Sequence, residues 1–243
     1  MTTEINSMTY IKYIIVTFFI GCLFILSGMV TGDLGDYSDI VLKIVLILLI
    51  CVYAVKHDSD FISIFNIKFS PAYLLIIIVP LIFSFVLTFS PLDFEPYPYY
   101  VILTVVGTIT TVIWEELYFR YIGCSLFEEN GRYRWYNLVF LALVFSGTHA
   151  VNIMSQSAFT TITQLLFTIG LGIFLLALYI ATGSIILPMI AHFLINSVND
   201  YFNLHTTMGP YLADTSSTLV LIIYVIVFIA ISAYILKKQD KLC

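Results

Sequence analysis

Residues 100–127 read YVILTVVGTITTVIWEELYFRYIGCSLF. From Tyr100 to Trp114 every residue is apolar, Thr or Gly. Glu115, Glu116 and, one turn later, Arg120 then interrupt the run before it resumes to Phe127. At about 1.5 Å per residue, such a stretch wound as a helix is about 40 Å long, enough to cross a hydrocarbon core of about 30 Å. The whole chain has the same character. Of its 243 residues 60% are hydrophobic and 10% charged, against about a quarter charged in soluble domains, and the mean hydropathy is +1.02. The predicted class is an all-α integral membrane protein, folded as one transmembrane domain over residues 1–243.

Apolar runs set against Pro, Gly and charge breaks predict about eight spans, near 9–30, 40–55, 71–90, 100–127, 135–154, 162–182, 184–199 and 218–236. An even number puts both termini on one side. Lys12, Lys56, Lys68, Arg132, Arg134, Lys237, Lys238 and Lys241 fall at ends or loops of that side, whereas the opposite loops carry no Lys or Arg. By the positive-inside rule both termini are therefore cytoplasmic. Lys43, near the outer end of the second span, is the one misfit and is expected to snorkel outward. The sixth and seventh spans are joined only by Ala-Thr-Gly-Ser, so a broken helix is conceivable there. The net charge of −5 and the lack of basic patches give no sign of nucleic-acid binding. The four cysteines lack CxxC spacing and read as packing residues. Tyr and Trp at run ends, such as Tyr10 and Trp135, read as interfacial anchors.

Few ionisable groups remain at depth: Glu115, Glu116 and Arg120 in the fourth span, His149 in the fifth, and His192 with Asn196 in the seventh. A charge at mid-bilayer costs ~3 kcal/mol on insertion scales, so such residues mark functional sites by default. Counting ~1.5 Å per residue puts Glu115 roughly 18 Å, His149 roughly 21 Å and His192 roughly 12 Å from the cytoplasmic ends of their spans. Glu116 and Arg120 are i, i+4 and can pair; His192 and Asn196 have the same spacing, as do Phe145 and His149. Glu115 and Glu116, about 100° apart on a helix, are expected to have different roles. The motif core spans 100–199.

EELYFR (115–120), FSGTH (145–149) and HFLIN (192–196) resemble, in order, the motifs EExxxR, FxxxH and HxxxN of the CPBP family. These are the CaaX proteases and bacteriocin-processing enzymes also called the Abi family. The resemblance implies a glutamate-dependent intramembrane endopeptidase that needs no cofactor. Carried over residue by residue, Glu115 is the general base that activates water, assisted by His149. His192 and Asn196 stabilise the oxyanion, and Glu116 with Arg120 holds the motif helix. The chemistry is sensible in itself, because a carboxylate among apolar residues becomes a better base near neutral pH, and an imidazole and an amide can donate to a developing oxyanion.

A zinc alternative uses Glu115, His149 and His192 as a His₂Glu set with an open position, although HExxH is absent. The serine type wants GxSG and meets VFSG; the aspartyl type wants GxGD within a span and meets GDLGD in a loop. A cysteine nucleophile would have to be Cys124, with no His fixed beside it. Outside proteolysis, the same residues could lock helices in a membrane scaffold or immunity protein, or relay protons in a transporter. Gln164 and Asn152 read as interhelical hydrogen bonders, with Asn152 near enough to orient His149. The expected partners are membrane lipid and a peptide or lipid-associated protein substrate, with no nucleic acid. Richness in Ile, Phe and Tyr is that of an AT-rich bacterial genome, which points to a bacterial cell membrane and to peptide maturation or bacteriocin immunity.

Overall fold

The computed structural model describes residues 5–29, 33–67, 73, 75–78, 81–82, 98–205, 215–238 and 240–242. Eight α-helices lie among the described residues. They are α1 (Ser7–Gly28), α2 (Asp33–His57), α3 (Pro98–Glu115), α4 (Gly123–Phe127), α5 (Trp135–Thr148), α6 (Ala158–Thr182), α7 (Ile186–His205) and α8 (Thr215–Lys238). A π-helical segment, Glu116–Ile122, joins α3 to α4 in one continuous rod. Short 3₁₀ turns follow α2 at Phe61–Phe65 and α5 at His149–Met154. Regular strands are absent among the described residues, which hold only two isolated bridges, Glu129 to Arg132 and Tyr133 to Leu242.

Among the described residues six helices are long and apolar enough to cross a membrane: Ser7–Gly28, Tyr37–His57, Ile102–Phe127, Trp135–Met154, Ala158–Thr182 and Leu221–Lys238. They correspond to six of the eight predicted spans. The seventh prediction falls on Ile186–Ser197, a shorter apolar helix, and the third, 71–90, lies for the most part outside the described residues. The helices overrun several predicted limits. In α2 the chain winds from Asp33, and α7 reaches His205, because polar residues cost a helix end nothing once it leaves hydrocarbon.

Local chemistry sets the helix ends. Asn6 and Ser157 accept the first free backbone N–H groups of α1 and α6. Gly183 closes α6 in the left-handed region, φ 62°, a backbone conformation that strains residues with a Cβ. The joint between the sixth and seventh spans is therefore a capped turn between two helices. It is tied down by the Ile185 N–H, which donates to the Ile64 carbonyl at 2.8 Å.

The interior is packed in layers around α6. One cluster joins α1, the α3–α4 rod, α5 and α6 through Trp114, Phe119, Phe127, Leu141 and Phe145. A second joins α6, α7 and α8 through Phe174, Leu175, Leu187, Ile195, Tyr224 and Phe228. Small residues set the spacing. A Cβ at Gly172 would meet Phe145 Cδ1 at 3.1 Å and the Ala142 Cα at 3.3 Å, so α5 and α6 touch nearly backbone to backbone, as lipid-embedded helices do without a hydrophobic drive to hold them. At one end of the bundle, Tyr10 binds Asn137, Arg132 pairs with Asp240, and the Tyr133 N–H donates to the Lys241 carbonyl at 2.8 Å. This gathers the start of α1, the 128–134 loop and residues 240–242 together, with most of the basic residues. Burial pushes the phenol of Tyr133 in this loop up, with Cys124 and Glu128 adding to the effect.

Candidate active site

Glu116 and Arg120 are fully enclosed, both at 0% exposure, and His192 is at 2%. An isolated charge so placed would cost several kcal/mol, so the compensation around each group is informative. Arg120 Nη1 lies 3.2 Å from Glu116 Oε1, within ion-pair reach but out of hydrogen-bond alignment. The same carboxylate oxygen receives His192 Nδ1 at 2.7 Å. An ionised carboxylate only accepts, so Nδ1 carries a proton and donates. On the far edge of the ring, His192 Nε2 lies 3.6 Å from Glu115 Oε2. Two carboxylates, one guanidinium and one imidazole thus share a single buried enclosure.

Phe145 is the hub of this arrangement. The guanidinium carbon of Arg120 stands 4.4 Å above its ring centroid, a cation over the negative π face. His149 and His192 meet the same ring in edge-on geometry, at 5.2 and 6.0 Å between centroids. The Phe145–His149 spacing thus serves to seat Arg120 as well as to aim a histidine. Gly172, which leaves room for that ring, is the α6 contribution.

The two adjacent glutamates do part company. Glu116 is sealed in, whereas Glu115 keeps 8% of its surface and lines a cavity of about 500 Å³. Along the rod, the i→i+4 ladder gives way at Glu116 to π winding, in which the Gly123 N–H reaches the Tyr118 carbonyl five residues back. Such single π turns recur at functional sites. All residues from Glu116 to Tyr121 are buried, so the wider turn keeps both the ion pair and its neighbours inside the bundle.

The cavity runs from Glu115 to the end of the bundle away from residues 128–134. Gly21, Phe24 and Met29 of the first hairpin wall one side; Thr111, Trp114 and Glu115 form the base; His149, Asn152 and Ser155 wall the other. His149 Nδ1 is 3.2 Å from the Phe145 carbonyl and 3.4 Å from the Thr148 hydroxyl. Those contacts, and not Asn152, orient its ring. Lys43 is not a free snorkelling charge. It pairs with Asp39 one turn back, and the two line the cavity.

Of the six residues singled out from sequence, Glu115, Glu116, Arg120 and His192 form one contact network. His149 joins it through Phe145 and the shared cavity. Asn196 follows one turn after His192 on α7, half-buried and outside the cavity walls. The proposed zinc set of Glu115, His149 and His192 would have to converge on one point. Among the described residues no three His, Cys, Asp or Glu side chains are arranged to hold a metal. Thr111, Trp114 and the Asp39–Lys43 pair were not legible as site residues; only the odd position of Lys43 in the charge pattern hinted at one of them.

No curated protein matches the chain. A family model, described as type II CAAX prenyl endopeptidase Rce1-like, matches residues 96–198, somewhat less than half of the length. That segment holds the whole network and the wall of the cavity that carries His149. Residues 96–198 of this membrane-embedded chain, which contain all six motif residues, are therefore similar to the Rce1-like family of CAAX proteases.

Proposed function

We propose that the protein is an intramembrane endopeptidase in which Glu115 activates a water molecule for attack on a peptide bond bound in the cavity. One observation carries this reading: Glu115 closes the base of a cavity shared with His149, while its Oε2 is buried without a hydrogen-bond partner among the described residues. A carboxylate that is largely shielded, reachable from one side and backed by a buried ion-pair network is placed to take a proton and give it back. His149 stands across the cavity to assist. His192, fixed by Glu116, turns its Nε2 edge toward the Glu115 side to stabilise the oxyanion that would form there, and Asn196 adds a donor one turn away. Glu116 and Arg120 hold that donor in place and touch no substrate.

The Lys and Arg distribution favours cytoplasmic termini, in which case the cavity opens toward the opposite face of the membrane. The substrate is then a membrane-associated peptide or protein segment, such as a bacteriocin or signalling-peptide precursor or a CaaX-like tail. The test compares, by mass spectrometry, small peptides from membranes holding equal amounts of the native chain or of Glu115→Gln. Losing a general base lowers the rate by about 10²–10⁴, so products specific to the native chain should vanish. Identical profiles from two folded proteins would instead favour a scaffold.

A further inference from the structure

His149 and Asn152 are the first and fourth residues of the 3₁₀ turn His149–Met154. Side chains at i and i+3 eclipse in a 3₁₀ helix, and both residues line the cavity above Glu115. The His149 ring is already oriented by the Phe145 carbonyl, so Asn152 is not needed for that purpose. Its carboxamide is turned the other way. Asn152 Nδ2 donates to Gln164 Oε1 at 2.9 Å, and Gln156 Nε2 donates to the same oxygen at 2.8 Å.

An oxygen that accepts from two amides fixes which edge of Asn152 faces α6. The nitrogen is committed there, and Oδ1 stands on the opposite edge, where no donor meets it among the described residues. An amide oxygen only accepts, so the matching ligand group is a donor. A peptide drawn out of bulk water brings such donors, because each backbone N–H it carries must be satisfied or costs free energy.

We infer that Asn152 Oδ1 binds a backbone N–H of the substrate beside the scissile bond, so that one fixed substrate position must carry a free N–H and excludes proline or any N-alkylated residue. This rests on the endopeptidase reading. Asn152 is then a positioning and specificity residue, with Gln164 and Gln156 as its support.

The test uses the full chain in vesicles of phosphatidylethanolamine and phosphatidylglycerol, with a pool of short internally quenched peptides. Peptides cut by the native chain and spared by Glu115→Gln define substrates. The best of them is resynthesised with an N-methyl group at each position in turn and assayed with the native chain, Asn152→Ala and Asn152→Asp. At one position near the cut, N-methylation should lower kcat/KM about tenfold in the native chain. Asn152→Ala should be about tenfold slower on the parent peptide and indifferent to that methyl group. Asn152→Asp keeps the acceptor but loses the amino group held by Gln164, so it should retain the sensitivity. A purely structural role would impair both variants alike and leave the sensitivity in place. The native chain alone can overturn the inference, if no N-methyl position matters. Absence of any Glu115-dependent cleavage overturns the endopeptidase reading, and the inference falls with it.

Discussion

Replacing Arg120 by Ala removes the one guanidinium from an enclosure that also holds Glu116, both at 0% exposure. Taking away one member of a buried pair costs about 3–5 kcal/mol, because the other charge stays desolvated. The cation over Phe145, at 4.4 Å, is worth about 2 kcal/mol more when shielded from water. Against these losses stands His192, whose Nδ1 remains 2.7 Å from the Glu116 carboxylate and can hold it in place of the guanidinium. The net expectation is about 3 kcal/mol, a fall of about 6–12 °C in melting temperature for a chain of this size. Trp114, buried in the same rod, reports the transition by its fluorescence in detergent. The double variant Glu116→Gln with Arg120→Met replaces the pair by uncharged groups of similar volume and should regain most of the loss. A melting temperature for Arg120→Ala equal to the native one, or a double variant as unstable as the single, would refute the view that this pair is held by mutual compensation.

Two further outcomes can be checked directly. Gly172→Val puts a branched side chain where even a Cβ would meet Phe145 Cδ1 at 3.1 Å and the Ala142 backbone at 3.3 Å. It should cost about 1–3 kcal/mol by overpacking and, by moving the Phe145 ring, depress any Glu115-dependent cleavage; a native-like melt with full activity would contradict this. A thiol at Ser155, on the cavity wall, introduced after replacement of the native cysteines, should react with a membrane-impermeant maleimide only from the non-cytoplasmic side. Labelling from the cytoplasm would reverse the proposed orientation.

The polar residues of the site could be read from the chain because hydrocarbon makes them expensive: Glu115, Glu116, Arg120, His149 and His192 stand out against apolar neighbours, and the spacing of Glu116 and Arg120 already implied a pair. Helical periodicity also separated Glu115 from Glu116, one toward the cavity and one sealed. Other features left no such mark. The π turn at Glu116–Ile122 is invisible to a reading that assumes 3.6 residues per turn. The fifth span gives up α winding after Thr148, though its composition stays apolar, and that change is what sets His149 above Asn152. The near wall of the cavity comes from Gly21, Phe24 and Met29, residues indistinguishable in sequence from lipid-facing ones. Asn152 and Gln164 were recognisable as interhelical hydrogen bonders, yet not which partner each would choose, since that depends on the rotation of α5 against α6.

The wide turn at Glu116–Ile122 also fixes a phase between the two halves of the rod. Rewinding the same residues as an ordinary α-helix would screw everything before the turn round by about 100° relative to Gly123. Glu115 would leave the cavity wall and face another helix or lipid, while hydropathy and span length stayed almost as before. The winding of one turn, which no compositional measure registers, therefore decides whether Glu115 faces the cavity.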